Sequence, residues 1–436
     1  MSKEKERGIP ISKVKRAAKI VGAGAKVGGN YVKYYTKKAF NPDLSEDSLH
    51  TDNASDIYDA LSQLKGSALK VAQMVSMDQQ VLPKAYQDKF SLAQYKAPAL
   101  SYPLIVKTFS RYFKKLPHEL FDSFSKEAIH AASIGQVHKA TLNDNVLAVK
   151  IQYPGVADAI SSDLKLIKPL AARLFNMKAS ELKMYMDEVE SKLIEETDYT
   201  LELKRGQEIA AKSEGLEGLV FAHYYPEFSS ERVLTMDWVE GVPFQEFCAN
   251  EKSQEIRNQI GQYMWDFFLF QMNTLKMVHA DPHPGNFLIT EDKRLVVLDF
   301  GCVKEIPEDF AQNYFQLLRP GISEDDEALE VIYNNIGFFK PEDTAKEKAF
   351  LRTMYKEMMV LLGKPFYSNR FDFGDVNFFK EIAEKGESLS SNKELRKMNT
   401  ARGSRDAIYV MRTFFGLYNL LHQLKAEVNL NYKLYE

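Results

Sequence analysis

A short polar segment in the second half of the chain cannot be helical. Residues 279–286 read HADPHPGN, with two prolines and one glycine among eight residues. Proline lacks a backbone donor and clashes with the preceding helical turn, so this segment must form a defined loop. The loop carries Asp281 and Asn286, five residues apart. This pair suits a catalytic carboxylate and a ligand for a metal ion.

A second carboxylate follows at the end of a predicted strand. Residues 295–301 read LVVLDFG, so a short apolar strand leads to Asp299 and Phe300-Gly301 then turns the chain. A carboxylate at a strand terminus is a suitable ligand for Mg²⁺. Asp before a Gly-containing turn is also common in ordinary turns, so the triplet alone is weak evidence. Asp299 follows Asp281 by 18 residues, a spacing similar to that in protein kinases.

Two other interpretations of the polar loop stay open. His279, Asp281 and His283 have the chemistry of a metal-binding triad. Metal-binding histidines more often lie at helical spacing or come from separate elements, which disfavours this triad. The second alternative is a purely structural turn.

A lysine lies inside an apolar strand predicted for residues 146–151, which read VLAVKI. Burying the Lys150 ammonium is costly unless it is paired, and in kinase folds an acidic residue holds such a lysine against nucleotide phosphates. The acidic run at residues 195–202 offers partners. At about 100° per residue, Asp198 and Glu202 share one helix face while Glu196 points elsewhere, which indicates two cationic partners. A solvated acidic face is the alternative.

Just before this strand, residues 131–138 read AASIGQVH. A loop that covers phosphates brings backbone amides close to them, which usually selects glycines. Here alanines occupy most of the small-residue positions and Gly135 remains. Considered alone, the segment is only a turn of small residues.

Along the chain these elements occur in the order phosphate loop, strand lysine, acidic run, catalytic loop and metal aspartate, and in that order they resemble those of the UbiB/AarF (ABC1-type) family of atypical protein kinase-like ATPases. The alanine-rich loop, the lysine strand that continues as KIQYPGV at residues 150–156, the ExD motif at 196–198 and the catalytic loop at 279–286 all match. The resemblance covers roughly residues 55–330. It implies an α+β, two-lobed protein kinase-like fold: a small mixed N-lobe with an antiparallel sheet, a helical C-lobe and an N-terminal helical extension.

We therefore expect four regions along the chain. They are a basic arm at 1–45, a helical extension at 46–118, an N-lobe at 119–240 and a C-lobe at 241–436. Polar residues 41–55 predict a linker or helix start, residues 57–77 a helix, and residues 233–239 a second strand.

The resemblance also implies cofactors and site residues. ATP and Mg²⁺ are expected, with Lys150 and Asp281 catalytic, and with Asn286 and Asp299 as metal ligands. Glu202 is expected to pair with Lys150. The segment MDWVEGVPF at 236–244 would be the hinge that meets adenine. The residues expected to contact the nucleotide are Ala131, Ala132, Ser133, Gly135, Gln136, Val137, Lys150, Glu202, Asp237 and Val239.

The N-terminal extension of the family carries a KxGQ motif that folds over the active site. This chain supplies Lys70 and Gln73, but Ala72 stands where glycine is usual. By resemblance Glu196 would hold Lys70, and Asp198 would belong to the same regulatory contact. An occluded site implies ATP hydrolysis, or phosphorylation of a small or lipid substrate, in ubiquinone or other isoprenoid-lipid metabolism. The alternatives are an aminoglycoside- or choline-type small-molecule kinase and a nucleotide-regulated, non-enzymatic scaffold.

Charge and hydropathy limit the partners. The formal net charge of −3 argues against a protein devoted to nucleic acid, so none is expected as a partner. Residues 1–40 carry eleven Lys or Arg against two Glu, interleaved with apolar residues. This arm could lie on an anionic membrane surface, each cation contributing about 1 kcal/mol, or pack on the body as a solvated helix. With no long apolar run, we expect a cytoplasmic protein, peripheral at the inner face of the membrane if it binds there.

Overall fold

The computed structural model describes residues 13–41, 45, 47–64, 85–86, 89, 101–131, 134–175, 179–319, 321–398 and 405–430. Within these residues the chain forms two compact units. The first contains the residues up to Leu203 together with His223–Trp238. The second contains Lys204–Ala222 and the residues from Val239 onward. Each unit is described by itself.

The first unit opens with two packed helices, α1 (Lys13–Phe40) and α2 (Asp47–Leu64). α2 begins inside the polar segment 41–55, so most of that segment's second half is helical. The later part of the helix predicted for 57–77 lies outside the described residues. Asn30 Nδ2 donates to Asn53 Oδ1 (3.1 Å) and to Asp56 Oδ2 (2.9 Å), which joins the helices. The apolar side chains buried on these helices are Ile20, Ala23, Val27, Tyr34, Leu49, Ala54, Ile57 and Leu61.

An antiparallel sheet follows, formed by β1 (Ser123–Phe124), β2 (His130–Ala131), β3 (Gly135–Leu142), β4 (Asn145–Gln152) and β6 (Val233–Asp237). The strand order is β1-β3-β4-β6, with β2 beside β3. Asn143 and Asp144 both have positive φ, which matches the two-residue turn that a tight β3–β4 hairpin requires. The strands predicted at 146–151 and 233–239 are confirmed, although β6 ends at Asp237.

One face of this sheet, called the back face here, is covered by α3 (Tyr102–Phe113), which α4 (Pro117–Leu120) follows. Ile105 and Phe109 of α3 are fully buried in one cluster with Leu147, Val149 and Ile151 of β4. Alternate residues of a strand point to opposite faces, so Ala148 and Lys150 lie on the other, front face. The back face therefore packs into the hydrophobic core, which holds the sheet against α3.

Three helices then lead out of the sheet: α5 (Val156–Phe175), α6 (Ala179–Glu196) and α7 (Tyr199–Lys212). The acidic run at 195–202 therefore spans a helix break rather than one helix. Asp198 Oδ1 accepts hydrogen bonds from the backbone N–H of Thr200 (3.0 Å) and Leu201 (3.3 Å). Asp198 thus caps the start of α7, a position at which Asp is preferred.

The second unit contains a four-stranded sheet of order β5-β10-β9-β7, formed by β5 (Leu219–Phe221), β7 (Val242–Pro243), β9 (Phe287–Ile289) and β10 (Leu295–Val297). A two-stranded sheet pairs β8 (Met277–His279) with β11 (Val303–Glu305). The prediction placed residues 204–222 in the N-lobe, whereas the structure groups them with the second unit. The reason is that β5 pairs in parallel with β10.

Helices make up most of the second unit. α8 (Phe244–Asn250) and α9 (Gln254–Phe270) precede β8, and a π-helical turn at Gln271–Leu275 ends α9. After β11 come α10 (Glu308–Gln316), α11 (Asp326–Asn335), α12 (Ala345–Gly363), β12 (Arg370–Asp372), α13 (Val376–Ser391), α14 (Lys393–Met398), α15 (Arg405–Leu424) and β13 (Glu427–Asn429). In the part of the chain that is described, no helix is both long and apolar enough to cross a bilayer.

Candidate active site

The predicted site residues of the first unit form an ion pair between β4 and α7. Lys150 Nζ lies 2.9 Å from Glu202 Oε1 and 3.0 Å from Oε2. The Glu202 side chain is 2% exposed and that of Lys150 15% exposed. The pair therefore forms as the resemblance implied, at the place where a buried ammonium needs a carboxylate. Lys150 Nζ also lies 5.0 Å from the centroid of the Tyr199 ring.

Strand register places an apolar surface beside this lysine. Lys150 is opposite Val137 on β3 and Leu234 on β6, while Ala148 is opposite Met236. Residues directly opposite in a sheet share a face, so Val137, Ala148 and Met236 lie on the front face with Lys150. The front face therefore places apolar side chains next to a cation, a combination that suits a base and its phosphates.

Gln136 corrects one sequence-based expectation. It pairs with Ile151 and thus points to the back face, away from Lys150. Its Nε2 lies 2.9 Å from His138 Nε2, and His138 Nδ1 lies 2.8 Å from the Ser125 carbonyl oxygen. Because a carbonyl only accepts, Nδ1 carries the proton and Nε2 accepts from Gln136. The Gln136 side chain is part of the core, which leaves only its backbone for a nucleotide.

The alanine-rich loop has one position where glycine is required. A Cβ at Gly135 would lie 2.8 Å from the Ile151 carbonyl oxygen and 2.8 Å from the Tyr199 hydroxyl. Ala131 ends β2, while Ala132 and Ser133 lie outside the described residues. Tyr199 was not predicted as a site residue. Its buried side chain lies between Gly135 and Lys150 and packs against both. In the sequence, the acidic run at residues 195–202, which contains Tyr199, was the signal that could have pointed to this residue.

The predicted hinge is held by hydrogen bonds at Asp237. Its carboxylate accepts from the Tyr225 hydroxyl (2.8 Å) and the His223 N–H (3.1 Å), and Trp238 N–H donates to the Val146 carbonyl (2.9 Å). Burial, together with the Asp237 carboxylate, raises the pKa of Tyr225 to about 12. The Asp237 side chain therefore fixes the hinge, and its predicted nucleotide contact is confined to the backbone. Val239 begins the second unit.

The second unit carries predicted site residues of its own, beginning in the loop that links β8 to β9. The Asp281 carbonyl accepts from Asn286 Nδ2 (2.8 Å) and from the His283 N–H (2.7 Å). Antiparallel pairing of β9 with β10 and a bond from Leu298 N–H to the Asn286 carbonyl (3.0 Å) bring Asn286 and Asp299 to the same end of the hairpin. The structure thus brings together three of the predicted residues.

Asp299 is fixed by its neighbours. Its Oδ1 accepts from the Gly301 N–H at 2.8 Å, and the His279 Nε2–H donates to its carbonyl. The His279 N–H in turn donates to Gln271 Oε1 (2.6 Å), in the π-helical turn. Such turns are frequent at functional sites. The buried Gln271, missed from the sequence, therefore links α9 to the Asp299 backbone.

These contacts exclude the metal triad of His279, Asp281 and His283. His279 is bonded to the Asp299 backbone, and His283 Nδ1 accepts from the Gly285 N–H at 3.0 Å. Across the described residues, no group of three His, Cys, Asp or Glu side chains is placed to hold a metal ion. Asn286 and Asp299 are a different donor set. The Asn286 nitrogen is used by Asp281, so its oxygen, like the Asp299 carboxylate, is a hard ligand that fits Mg²⁺.

The predicted regulatory contact lies partly outside the described residues. Lys70 and Gln73 lie outside the described residues. Glu196 is the last residue of α6, half-buried, and Asp198 is occupied in capping α7. The roles of all four in regulation stay predictions. Another residue was missed altogether: Arg412 on α15 lies 3.5 Å from Asp281 Oδ1, in a region without a recognisable motif.

A lysine–glutamate pair on a small antiparallel sheet, with a polar loop and a strand-end aspartate in a helix-rich unit, defines a kinase-like protein. A family model described as the ABC1 atypical kinase-like domain matches residues 92–332, more than half of the chain. The chain therefore belongs to this family, the UbiB family of atypical kinase-like proteins, as the sequence analysis predicted.

Relatives and a solved structure agree with this assignment. The chain is 25% identical to the probable serine/threonine-protein kinase abkA of Dictyostelium discoideum, over 98% of this chain and 79% of the relative. It is 29% identical to the mitochondrial atypical kinase COQ8 of Saccharomyces cerevisiae, over 85% and 75%. Rv3197 of Mycobacterium tuberculosis, solved in complex with erythromycin, aligns with a TM-score of 0.61 and 25% identity over 88% and 95%. The α+β kinase-like fold class is confirmed.

Proposed function

We propose that this protein binds Mg-ATP and either hydrolyses it or transfers its terminal phosphoryl group to a small or lipid substrate of quinone or isoprenoid-lipid metabolism. The observation that carries the proposal is the buried Lys150–Glu202 pair on the front face of the sheet. A buried ion pair is often no more stable than apolar residues of the same size, so retaining one on an apolar face supports a functional use.

In this proposal each residue acts on charge or position. Lys150 neutralises the α- and β-phosphates and is held in place by Glu202. Asp281 orients the attacking water or hydroxyl and accepts its proton. Asn286 and Asp299 would hold magnesium, which when bound supplies positive charge beside the phosphates. Catalysis by such a site rests on positioning and electrostatic stabilisation rather than on covalent intermediates.

The substrate class rests on family membership and on the relatives' names. The match to a mitochondrial atypical kinase COQ8 supports kinase-like chemistry, while the quinone part of the proposal rests on the resemblance alone. The neighbour solved with erythromycin supports a small molecule, rather than a protein, as the second ligand. The family assignment speaks against an aminoglycoside- or choline-type kinase. The complete set of Lys150, Asp281, Asn286 and Asp299 speaks against a scaffold without chemistry.

Membrane contact through α1 is the second part of the proposal. α1 buries one face within the first unit, yet Val21, Val32 and Tyr35 are 69%, 69% and 60% exposed. At about 100° per residue these three lie within about 60° of one another on a second face. Lys19, Lys26, Lys33 and Lys37 lie on a third face of the same helix, roughly 100–160° from this stripe. A helix with an exposed apolar stripe and a separate lysine-rich face supports binding to an anionic lipid surface, and hence a peripheral location on a cytoplasmic membrane face.

The test is ADP production by the full chain with Mg-ATP, measured alone, with anionic liposomes and with zwitterionic liposomes. We expect turnover that rises only with anionic liposomes. Asp299→Ala should lower it at least about a hundredfold, because metal-assisted charge stabilisation contributes several kcal/mol. Lys33→Glu with Lys37→Glu should remove the liposome effect and keep the basal rate. Turnover equal to that of Asp299→Ala under every condition would refute the enzyme proposal, and equal stimulation by both liposomes would refute the anionic membrane contact.

A further inference from the structure

The C-terminal helix α15 contacts the catalytic loop of the second unit. Arg412 Nη2 lies 3.5 Å from Asp281 Oδ1, and both side chains are 24% exposed. Charges that are largely shielded from water interact more strongly than surface charges at the same distance. The guanidinium is therefore placed to act on the carboxylate that the proposed function assigns to the nucleophile.

One helical turn further along α15, the loop and the helix approach each other closely at Gly416. A Cβ at this position would lie 2.0 Å from Pro282 Cγ and 2.9 Å from Pro282 Cβ. No side chain fits there unless the loop or the helix moves. Glycine weakens a helix interior relative to alanine, so its presence within α15 agrees with a need for close contact.

The start of α15 is tied to the strand pair that leads into the same loop. Lys304 Nζ on β11 lies 3.1 Å from Asp406 Oδ1 and 5.8 Å from the centroid of the Tyr409 ring. β11 pairs with β8, whose last residue, His279, begins the loop. Contacts with the loop region therefore run along α15 from Asp406 to Gly416.

These contacts differ in what they restrain. The hydrogen bonds inside the loop, from Asn286 Nδ2 and His283 N–H, act on the Asp281 carbonyl. The contact with Arg412 acts on the Asp281 carboxylate, and Gly416 supports Pro282, the next residue. Main chain and side chain of Asp281 are thus held by different elements. This makes the direction of the carboxylate dependent on α15.

We propose that Arg412 is a positioning residue: it orients the Asp281 carboxylate toward the nucleophile, while Gly416 seats the loop on α15. This inference rests on the proposed function. It gives a role to part of the chain beyond residue 332, where the family match ends. The last long helix is then a part of the site rather than only a cap on the second unit.

The test uses the full-length chain with matched variants. Arg412→Gln and Arg412→Lys are compared with Arg370→Gln, which removes the Arg370–Glu427 pair (2.6 Å) of the same unit. Gly416→Ala is compared with Gly386→Ala on α13, where a Cβ meets no atom within 4 Å. Three quantities are measured for each: kcat for ATP hydrolysis, the Kd of a non-hydrolysable ATP analogue with magnesium, and amide hydrogen exchange of residues 279–287.

We expect Arg412→Gln and Gly416→Ala to lower kcat about tenfold to a hundredfold, since small misplacements of a catalytic group have effects of that size. The analogue Kd should change less than about twofold, and loop exchange should rise about three- to tenfold, because a local restraint is lost. Arg412→Lys should retain more kcat than Arg412→Gln. Both controls should behave like wild type in all three measurements.

Two results would overturn the inference. One is kcat and loop exchange in Arg412→Gln equal to those of Arg370→Gln. The other is a fall in kcat matched by an equal loss of analogue affinity, which a general loss of folding would cause. If wild type shows no turnover, the proposed function fails, but the exchange measurement still tests whether α15 restrains the loop. Unchanged exchange in Arg412→Gln and Gly416→Ala would then refute the role of α15.

Discussion

A single buried histidine makes the first unit sensitive to pH. His138 is fully buried in β3, between Gln136 and the Ser125 carbonyl. Burial lowers the pKa of His138 from its ordinary value of 6.5, and the bond to Ser125 opposes this only in part. The unfolded chain therefore binds a proton at a higher pH than the folded chain does. The stability that His138 contributes is fully present above pH 6.5 and is lost as the pH falls below it.

We predict that the free energy of unfolding of wild type falls more steeply between pH 6.5 and pH 5 than that of His138→Gln. The difference in slope has an upper limit of roughly 1.4 kcal/mol per pH unit, the value for one proton. Glutamine keeps a polar side chain at this position but has no group that titrates in this range. Chemical denaturation at several pH values measures both slopes. Parallel pH profiles for the two proteins would contradict the prediction.

At the level of single residues, the chemistry of each side chain decided what could be predicted. The cost of burying Lys150 predicted a carboxylate partner, and Glu202 provides it. Gln136 was assigned to the nucleotide from its place in the alanine-rich loop. The sequence does not display the strand register that turns its side chain to the back face. Arg412 was missed because its contact joins residues 131 positions apart without any motif.

At the level of elements, β3 has one side in the core and the other on the front face, the proposed nucleotide face. Val137 lies on the front face opposite Lys150, and the neighbouring Gln136 lies on the back face. The two residues should therefore respond differently to substitution. This contrast tests the register on which the whole front face depends, because a slip by one residue would exchange the two roles.

We predict that Val137→Phe weakens binding of an ATP analogue about tenfold or more with little loss of stability, because the ring enters the proposed base site. Gln136→Ala should cost roughly 1–3 kcal/mol of stability by leaving buried His138 without its donor, and change analogue affinity little. Fluorescence titration and urea unfolding of both variants supply the four values. The reverse pattern would mean that the register assigned to β3 is wrong.

Elements were predictable where hydrophobic pattern and turn chemistry agreed. The apolar run at 146–151 lies within β4, and the proline-rich loop at 279–286 is irregular up to its final 3-10 turn. The break between α6 and α7 was not predicted, because EETDYTLE has helix-forming residues on both sides of it. Asp198 as an N-cap was the local signal for that break.

At the level of the whole molecule, the boundary between the two units depends on long-range pairing. The sequence predicted a boundary after residue 240, and the structure places one after Trp238. It also assigns residues 204–222 to the second unit, since β5 pairs with a strand that lies some 75 residues later. Such pairing leaves no local trace. The kinase-like class was nevertheless predictable, because it follows from the order of four short motifs.

The proposed function requires that Lys150, Asn286 and Asp299 all contribute to binding of Mg-ATP. Calorimetric titration with a non-hydrolysable ATP analogue, in magnesium and in EDTA, measures this in wild type, Lys150→Met and Asp299→Asn. We predict saturable binding by wild type that weakens at least about tenfold in EDTA. Asp299→Asn should lose the dependence on magnesium, and Lys150→Met should bind weakly in both buffers. Absence of saturable binding by wild type in magnesium, or an affinity unchanged by EDTA and by both substitutions, would contradict the account.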